Sequence, residues 1–423
     1  MCSSDLGGEG APAQPQPFGF GRSNVANMPS QAQPDFVSQF NWNSPIRLSP
    51  HNSSTLYVGG RQLFISRDRG ETWTISQSVG KGIDLSKRSI LEQSYGLPTC
   101  GRGGAARGRE CILSKHDGYL ENEFGTMTEM AESPVLPGVL WVGTDDGNVQ
   151  VSRDGGHTFS EVGANIPGVN HEYYVSGLEA SYYDAATAYV ALDGHRADDW
   201  KPYVFKTTDY GKTWKAVSGD LPAVGNVNSI RQDPVNRNLL YAPTEFGFFV
   251  SLDDGQHWHS FMAGLPQGRV DEVLVHPREH DLVLATHSRS VWIMDDISPL
   301  QQMASSTADV TLFKPRDAVL WKPDRRNVTE TPGDKIWEAD PAPRGTAISY
   351  LLKAAASDVK ITISDTATGQ AVLTCTGDAQ LGTKAGMNRI QWTLVTTQQI
   401  QAAARGGGAG GRGAGGEIGR AHV

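Results

Sequence analysis

Short apolar runs alternating with polar residues recur along the chain from about residue 40 to residue 300. TLYVGG is followed by QLFIS, GVLWVGT by NVQVS, TAYVAL by YVFKTT, LLYAPT by GFFVS and LVLATH by SVWIM. Alternation of period two over four to six residues, bounded by Gly, Asp, Asn and Pro, predicts β-strands joined by tight hairpins. Shorter runs flank each pair. Around LLYAPT and GFFVS, VNSIRQDP supplies a first strand and WHSF a fourth.

Four short strands per unit, returning about every 40 to 45 residues, predict the blades of a β-propeller. A fixed turn follows the third strand of four units. Ser66, Asp68, Gly70 and Trp73 lie in ISRDRGETW; Ser152, Asp154, Gly156 and Phe159 in VSRDGGHTF; Thr207, Asp209, Gly211 and Trp214 in FKTTDYGKTW; Ser251, Asp253, Gly255 and Trp258 in VSLDDGQHW. The Asp is expected to accept backbone N–H groups of the turn, the Gly to supply a positive φ, and the aromatic ring to pack between neighbouring sheets. These are scaffold duties. The spacing from Asp209 to Asp253 matches a single blade, so the longer intervals from Asp68 to Asp154 and from Asp154 to Asp209 must contain loop insertions.

Composition supports an all-β chain with many turns: Gly 48 and Pro 23 among 423 residues is roughly one residue in six, against about 12% in average usage. A net charge of -9 argues against a nucleic-acid surface, and no apolar run reaches the roughly 20 residues of a membrane span. The terminal stretches MCSSDL and EIGRAHV read as translated adapter DNA, since GAG ATC GGA AGA GCA CAC GTC encodes E-I-G-R-A-H-V. The chain is therefore expected to be an internal fragment of a longer reading frame. Cys2 lies in the first of these stretches and Cys375 in a predicted strand. Cys100 and Cys111 bracket CGRGGAARGREC as either a disulfide staple or two unrelated thiols, and no metal-binding spacing accompanies them.

The pattern S-x-D-x-G-x-T-W resembles the Asp-box, or BNR repeat, of bacterial sialidases, xyloglucanases and sortilin receptors. The likeness covers roughly residues 40 to 296, five blades, with more expected in the whole ring. FNWNSPIRLSPHNSSTLYVGG and LATHSRSVWIMDDISPL are similar to exported bacterial proteins described as glycosyl hydrolases or sortilin-like. That resemblance implies an extracellular or periplasmic location. It also implies a ligand or active site on the face opposite the Asp turns, where second-to-third hairpins and blade connections lie.

On that face the chain places Arg61, then Asp145 and Asp146 from GTDDG, and the blade-three insertion DGHRADDWKP with His195, Arg196, Asp198, Asp199 and Trp200. Glu245 from PTEFG and His287 and Arg289 from THSRS follow; connections add His171 and Tyr173. Asp145, Asp146, Asp198, Asp199 and Glu245 are candidate catalytic carboxylates, whereas His195, Arg196, Trp200, His287 and Arg289 are candidate ligand contacts. D-D-G and E-F-G also serve as plain turn formers. The blade-three insertion is longer than a reversal needs.

After residue 300 a stretch rich in Pro, Asp and Arg, 301–343, reads as a linker. TAISYLLK, VKITISD, AVLTCTG and MNRIQWTL then suggest a truncated Ig-like sandwich over 344–396, similar to domains of hook-capping proteins. A flexible Gly-rich tail follows over 397–423. Two functions fit. One is an exported propeller that binds, and in an inverting mechanism hydrolyses, a polymeric glycan, using two carboxyl groups roughly 6.5–9.5 Å apart. The other is a sortilin-like, non-enzymatic propeller that binds peptide or protein. Neither calls for a cofactor or metal, and the missing Arg triad disfavours a sialidase.

Overall fold

The computed structural model describes residues 40–41, 43–81, 125–287, 289–303, 308–318, 344–376 and 381–397. The N-terminal segment before residue 40, the Cys100–Cys111 loop, most of the expected linker and the Gly-rich tail lie outside the described residues. The chain is nearly all-β, and its sheets have the up-and-down order of propeller blades. It divides into two compact units, Met1–Gly163 and Ala164–Val423.

Unit 1 holds two four-stranded antiparallel sheets. The first runs β1 (Ile46–Leu48), β2 (Leu56–Gly59), β3 (Gln62–Ser66), β4 (Thr74–Ser78); the second runs β5 (Met127–Glu132), β6 (Leu140–Thr144), β7 (Val149–Ser152), β8 (Ser160–Glu161). Leu63 and Ile65 of the first sheet pack with Met130, Leu140 and Phe159 of the second, so the ring of the second turn lies between the blades, as the sequence predicts.

Unit 2 continues with β9 (Tyr174–Ala180), β10 (Ala188–Asp193), β11 (Tyr203–Thr207) and β12 (Lys215–Ala216), then with β13 (Arg231–Gln232), β14 (Leu240–Thr244), β15 (Gly247–Ser251) and β16 (His259–Ser260). The fifth blade has three strands among the described residues: β17 (Val270–Val275), β18 (Leu282–Thr286) and β19 (Val291–Met294). Tyr189, Val204 and Val217 of the third blade bury against Ile230, Leu240 and Trp258 of the fourth. Tyr241, Phe248 and Val250 do the same against Val273, Leu282 and Leu284 of the fifth.

The first strands of the blades interrupt their apolar runs with charge. Arg231 on β13 lies 3.6 Å from Glu179 on β9 and 2.7 Å from Glu272 on β17. In unit 1 Arg47 and Glu129 form the corresponding pair at 3.8 Å. The Pro- and Asp-rich stretch after residue 300 is not all connection. Helix α1 (Ser298–Met303) buries Gln301, and β20 (Val310–Leu312) pairs with β21 (Thr346–Leu352). The last sheets are β20–β21–β24, with β24 spanning Gly386–Trp392, and β22 (Lys360–Ser364) with β23 (Ala371–Thr376). Arg316 Nη1 donates to Glu279 O and Thr346 Oγ1 to Arg316 O, which ties these sheets to the fifth blade within one unit. Cys375 is a buried free thiol. Among the described residues no helix is long and apolar enough to cross a membrane.

All four Asp turns share one hydrogen-bond pattern. In the first, Ser66 Oγ donates to Asp68 Oδ1 and accepts from Gly70 N, while Asp68 accepts from Thr72 N and Thr72 Oγ1. Asp154 with Thr158 and Asp209 with Thr213 repeat it; in the fourth turn His257 replaces Thr. The turn Gly residues have positive φ, and so do Arg69, Gly155, Tyr210 and Asp254 immediately before them. Each of these four donates its N–H to the first hairpin of its own blade, at Ser54, Gly138, Ala186 and Asn238. The Gly also permits close approach: a Cβ on Gly255 would lie 2.5 Å from Val217 O.

Hydrogen bonds from Thr72 and Thr158 hold the Asp68 and Asp154 carboxyls down at about 2. Those from Thr213 lower Asp209, and at Asp253 burial is outweighed by bonds from His257. A carboxyl lowered in the folded state stabilises above its unfolded value near 4 and loses that contribution as pH falls through the folded value. Denaturant melts at pH 5 and pH 2.5 are therefore expected to show a larger acid loss for the wild type than for a variant with all four Asp changed to Asn.

Candidate ligand-binding face

In unit 1 the two adjacent carboxylates of the β6–β7 hairpin are spent on the scaffold. Asp145, 3% exposed, accepts Gly125 N and Thr126 N on Oδ1, and Thr126 Oγ1 and Asn41 Nδ2 on Oδ2. Asp146, fully buried, accepts Thr144 Oγ1 and Lys81 N. Burial pushes the Asp145 carboxyl up to about 7, against hydrogen bonds that favour its ionised form. A proton held there is enclosed by backbone. The geometry makes both residues cross-links from the β6–β7 hairpin to the chain at Asn41, Lys81, Gly125 and Thr126, a structural use other than the local turn that D-D-G predicts. Arg61 Nε donates to Ser78 Oγ at 3.3 Å, close to its own blade.

In unit 2 the blade-three insertion leaves β10, forms a single 3-10 turn at His195–Ala197 and returns to β11. Asp198 closes that turn in the left-handed region, with φ 58, and accepts Trp200 Nε1 at 3.2 Å. Asp199 anchors the loop. Its Oδ2 accepts Tyr173 OH at 2.9 Å and Tyr203 OH at 2.7 Å, and Oδ1 accepts Lys201 N. Burial alone would raise the Asp199 carboxyl, but the two phenols and the Lys201 amide outweigh it and hold it below its usual value. Burial and this carboxylate in turn push both phenols up to about 12. His195 is held at 2.6 Å by Asp193 and stacks at a tilt on Trp200, and the Arg196 guanidinium lies 4.8 Å above the Tyr174 ring.

The chain between the third and fourth blades completes the site. Gly225 N donates to Trp200 O at 2.8 Å. Its φ of 129 suits glycine alone, and a Cβ there would lie 3.1 Å from the Phe246 ring. Trp200 and Phe246, 39% and 59% exposed, thus flank one glycine on the face opposite the Asp turns. Beside them Arg269 joins Glu245 at 3.2 Å and Asp271 at 2.5 Å, and His287 lies 3.6 Å from Asp271. Arg289 accepts Trp292 Nε1 on its carbonyl and is exposed.

The structure therefore gathers Trp200 with His195, Asp198 and Asp199, and Glu245 with His287. Sequence reasoning missed Tyr203, Gly225, Phe246, Arg269 and Asp271. Phe246 carries a readable signal, an aromatic at the tip of a two-residue hairpin with no core role; Arg269 and Asp271 carry one in the charged start of an apolar strand. Among the described residues no group of His, Cys, Asp and Glu is placed to hold a metal ion.

No family model matches the chain. Over 259 residues it is 24% identical to an oligoxyloglucan reducing-end-specific xyloglucanase of Emericella nidulans, a match covering 53% of this chain and 31% of that protein. Among solved structures it is similar to an ancestral GH74 enzyme, with TM-score 0.40, 12% identity, and 80% and 38% of the two chains covered. It is also similar to the GH74 xyloglucanase from Xanthomonas campestris, with TM-score 0.39, 12% identity, and coverage of 64% and 38%. A third likeness is to YCF48 bound to D1 peptide, with TM-score 0.36, 12% identity, and coverage of 61% and 67%. The chain spans about a third of the length of the xyloglucanase it matches.

Proposed function

We propose that the chain is part of an exported Asp-box propeller, followed by an Ig-like domain, that binds a polymeric glycan on the face opposite its Asp turns. The observation that carries this reading is Trp200: its indole N–H, its carbonyl and the carboxylate beside it are all engaged, yet its ring remains open to solvent, and the likewise exposed Phe246 lies against the glycine that its carbonyl binds. A pyranose presents C–H groups on its faces and hydroxyls on its rim, so rigid aromatic faces bordered by polar groups suit it. Glu245 and Asp271 supply acceptors for those hydroxyls. The sequence relative acts on xyloglucan, which makes that polysaccharide the first to test.

Turnover is the second reading, favoured by Glu245 and Asp271 being gathered around one guanidinium. Inverting hydrolysis needs one carboxyl to protonate the leaving oxygen and a second to activate water, so this reading requires one of the two to leave Arg269 when substrate binds. Release of reducing sugar from xyloglucan, abolished in Glu245→Gln or Asp271→Asn, is the result this reading expects.

The binding reading is tested by affinity electrophoresis of the intact chain in gels containing different polysaccharides. Retardation by one class, and at least a tenfold weaker affinity for Trp200→Ala, about 1.4 kcal/mol, is expected. Mobility unchanged in every gel would remove the glycan reading and return the sortilin-like peptide reading.

A further inference from the structure

The segment 225–228 is bonded to three successive blades. Gly225 N donates to Trp200 O, and Ser176 Oγ on β9 donates to Val227 O at 2.6 Å, both in the third blade. Within the fourth blade, Asn226 O accepts Glu245 N and Asn228 N donates to Pro243 O. Side chains continue the line: Asn226 Nδ2 donates to Asn228 Oδ1 at 3.1 Å, and Asn228 Nδ2 donates to Val270 O at 2.9 Å, beside Arg269 in the fifth. Asn226 is 1% exposed, and its Oδ1 has no hydrogen-bond partner among the described residues. A buried amide that leaves an acceptor unused is a poor choice for stability alone.

We infer that Asn226 and Asn228 are positioning residues that fix the spacing between the aromatic pair Trp200 and Phe246 and the charged cluster around Arg269. This rests on the glycan reading for its consequence. The backbone bonds of residues 225 and 226 carry Trp200 and Glu245; the amide pair carries their position across to Arg269, whose carbonyl accepts His287 N. A ligand long enough to touch both patches depends on that spacing. A short ligand seated on the aromatic pair does not.

The test compares the wild-type chain with Asn226→Ala, which removes only the middle link, with Asn228→Ala, and with Asn165→Ala. The last deletes a side-chain bond to Gly211 O on the Asp-turn side and serves as control. Without ligand, amide hydrogen exchange at Glu245 and His287 is expected to quicken at least tenfold in Asn228→Ala, while Thr213 in the Asp turn is unchanged. With polymeric xyloglucan and its single-repeat oligosaccharide as probes, both Asn226→Ala and Asn228→Ala are expected to lose at least tenfold in affinity for the polymer and less than twofold for the oligosaccharide. Unchanged exchange at Glu245 and His287 overturns the relay, as do equal losses for the two probes or losses matched by the control. Wild-type protein that binds neither probe defeats the glycan reading instead, and the exchange result alone then decides the relay.

Discussion

Replacing Arg231 with Met is expected to lower the stability of unit 2 by about 3–5 kcal/mol. The guanidinium donates to Leu178 O and Ile230 O, both at 3.1 Å, and faces Glu179 and Glu272 from the strands on either side. Glu179 and Arg231 are largely withdrawn from solvent, so removing the cation leaves Glu179 in a low-dielectric interior without the Arg231 counter-charge. Glu272 is more open, and solvent screens its share. The large loss is therefore a penalty for the stranded carboxylate, and the double variant Arg231→Met with Glu179→Gln is expected to recover much of it. Urea melts of the single and double variants measure both. A single-variant loss below 1 kcal/mol, or no recovery in the double, would show that the array is surface decoration.

Asp233→Ala is expected to cost about 3 kcal/mol or more by the loss of one charged acceptor shared by several donors. The carboxylate is fully buried and accepts Val235 N at 2.7 Å, Asn236 N at 2.8 Å, Tyr241 OH at 2.8 Å and Gln301 Nε2 at 2.9 Å. Two of these donors close the first hairpin of the fourth blade, the third belongs to its second strand, and the fourth docks helix α1. Burial first, and the Asp233 charge second, push the Tyr241 hydroxyl well above its ordinary value, in keeping with its role as donor to Asp233. Asp233→Asn keeps an acceptor for the two backbone amides but turns an NH2 group toward Tyr241 or Gln301, and a smaller loss is expected. Thermal melts that rank Ala and Asn equal would contradict this account.

Strand alternation made the blades legible because each sheet has buried faces, so the strands must repeat the pattern. The Asp turns were legible because their side chains replace backbone partners at fixed offsets. Less visible was the positive φ of Arg69, Tyr210 and Asp254, where bulk is tolerated because each N–H is used by the neighbouring hairpin. Helix α1 escaped notice although Asp296 and Pro299 in DDISPL form a helix-start signal, Asp296 Oδ1 accepting Ser298 N. β20, three residues long with its apolar side chains exposed, carries almost no pattern.

The candidate face was legible where the chain is longer than a hairpin needs. The blade-three insertion exceeds what a hairpin needs, and Trp200 indeed stands on it. Asp145 and Asp146 attracted notice as paired carboxylates, but chemical type cannot reveal that their oxygens close on Gly125, Thr126 and Lys81. Arg269 and Asp271 show only the charged start of an apolar strand; their significance lies in meeting Glu245 and His287 from two other hairpins, a juxtaposition no local spacing encodes.

The exposed aromatic pair is where the account is most directly at risk. The double variant Trp200→Ala with Phe246→Ala, titrated against polymeric xyloglucan beside the wild type, is predicted to lose at least tenfold in affinity with a melting temperature within about 2 °C. That temperature bound rests on both rings being solvent-exposed, where substitutions rarely change stability by more than about 0.5 kcal/mol. Undiminished affinity together with a lowered melting temperature would contradict it, because the two rings would then be holding the loops together and not a ligand.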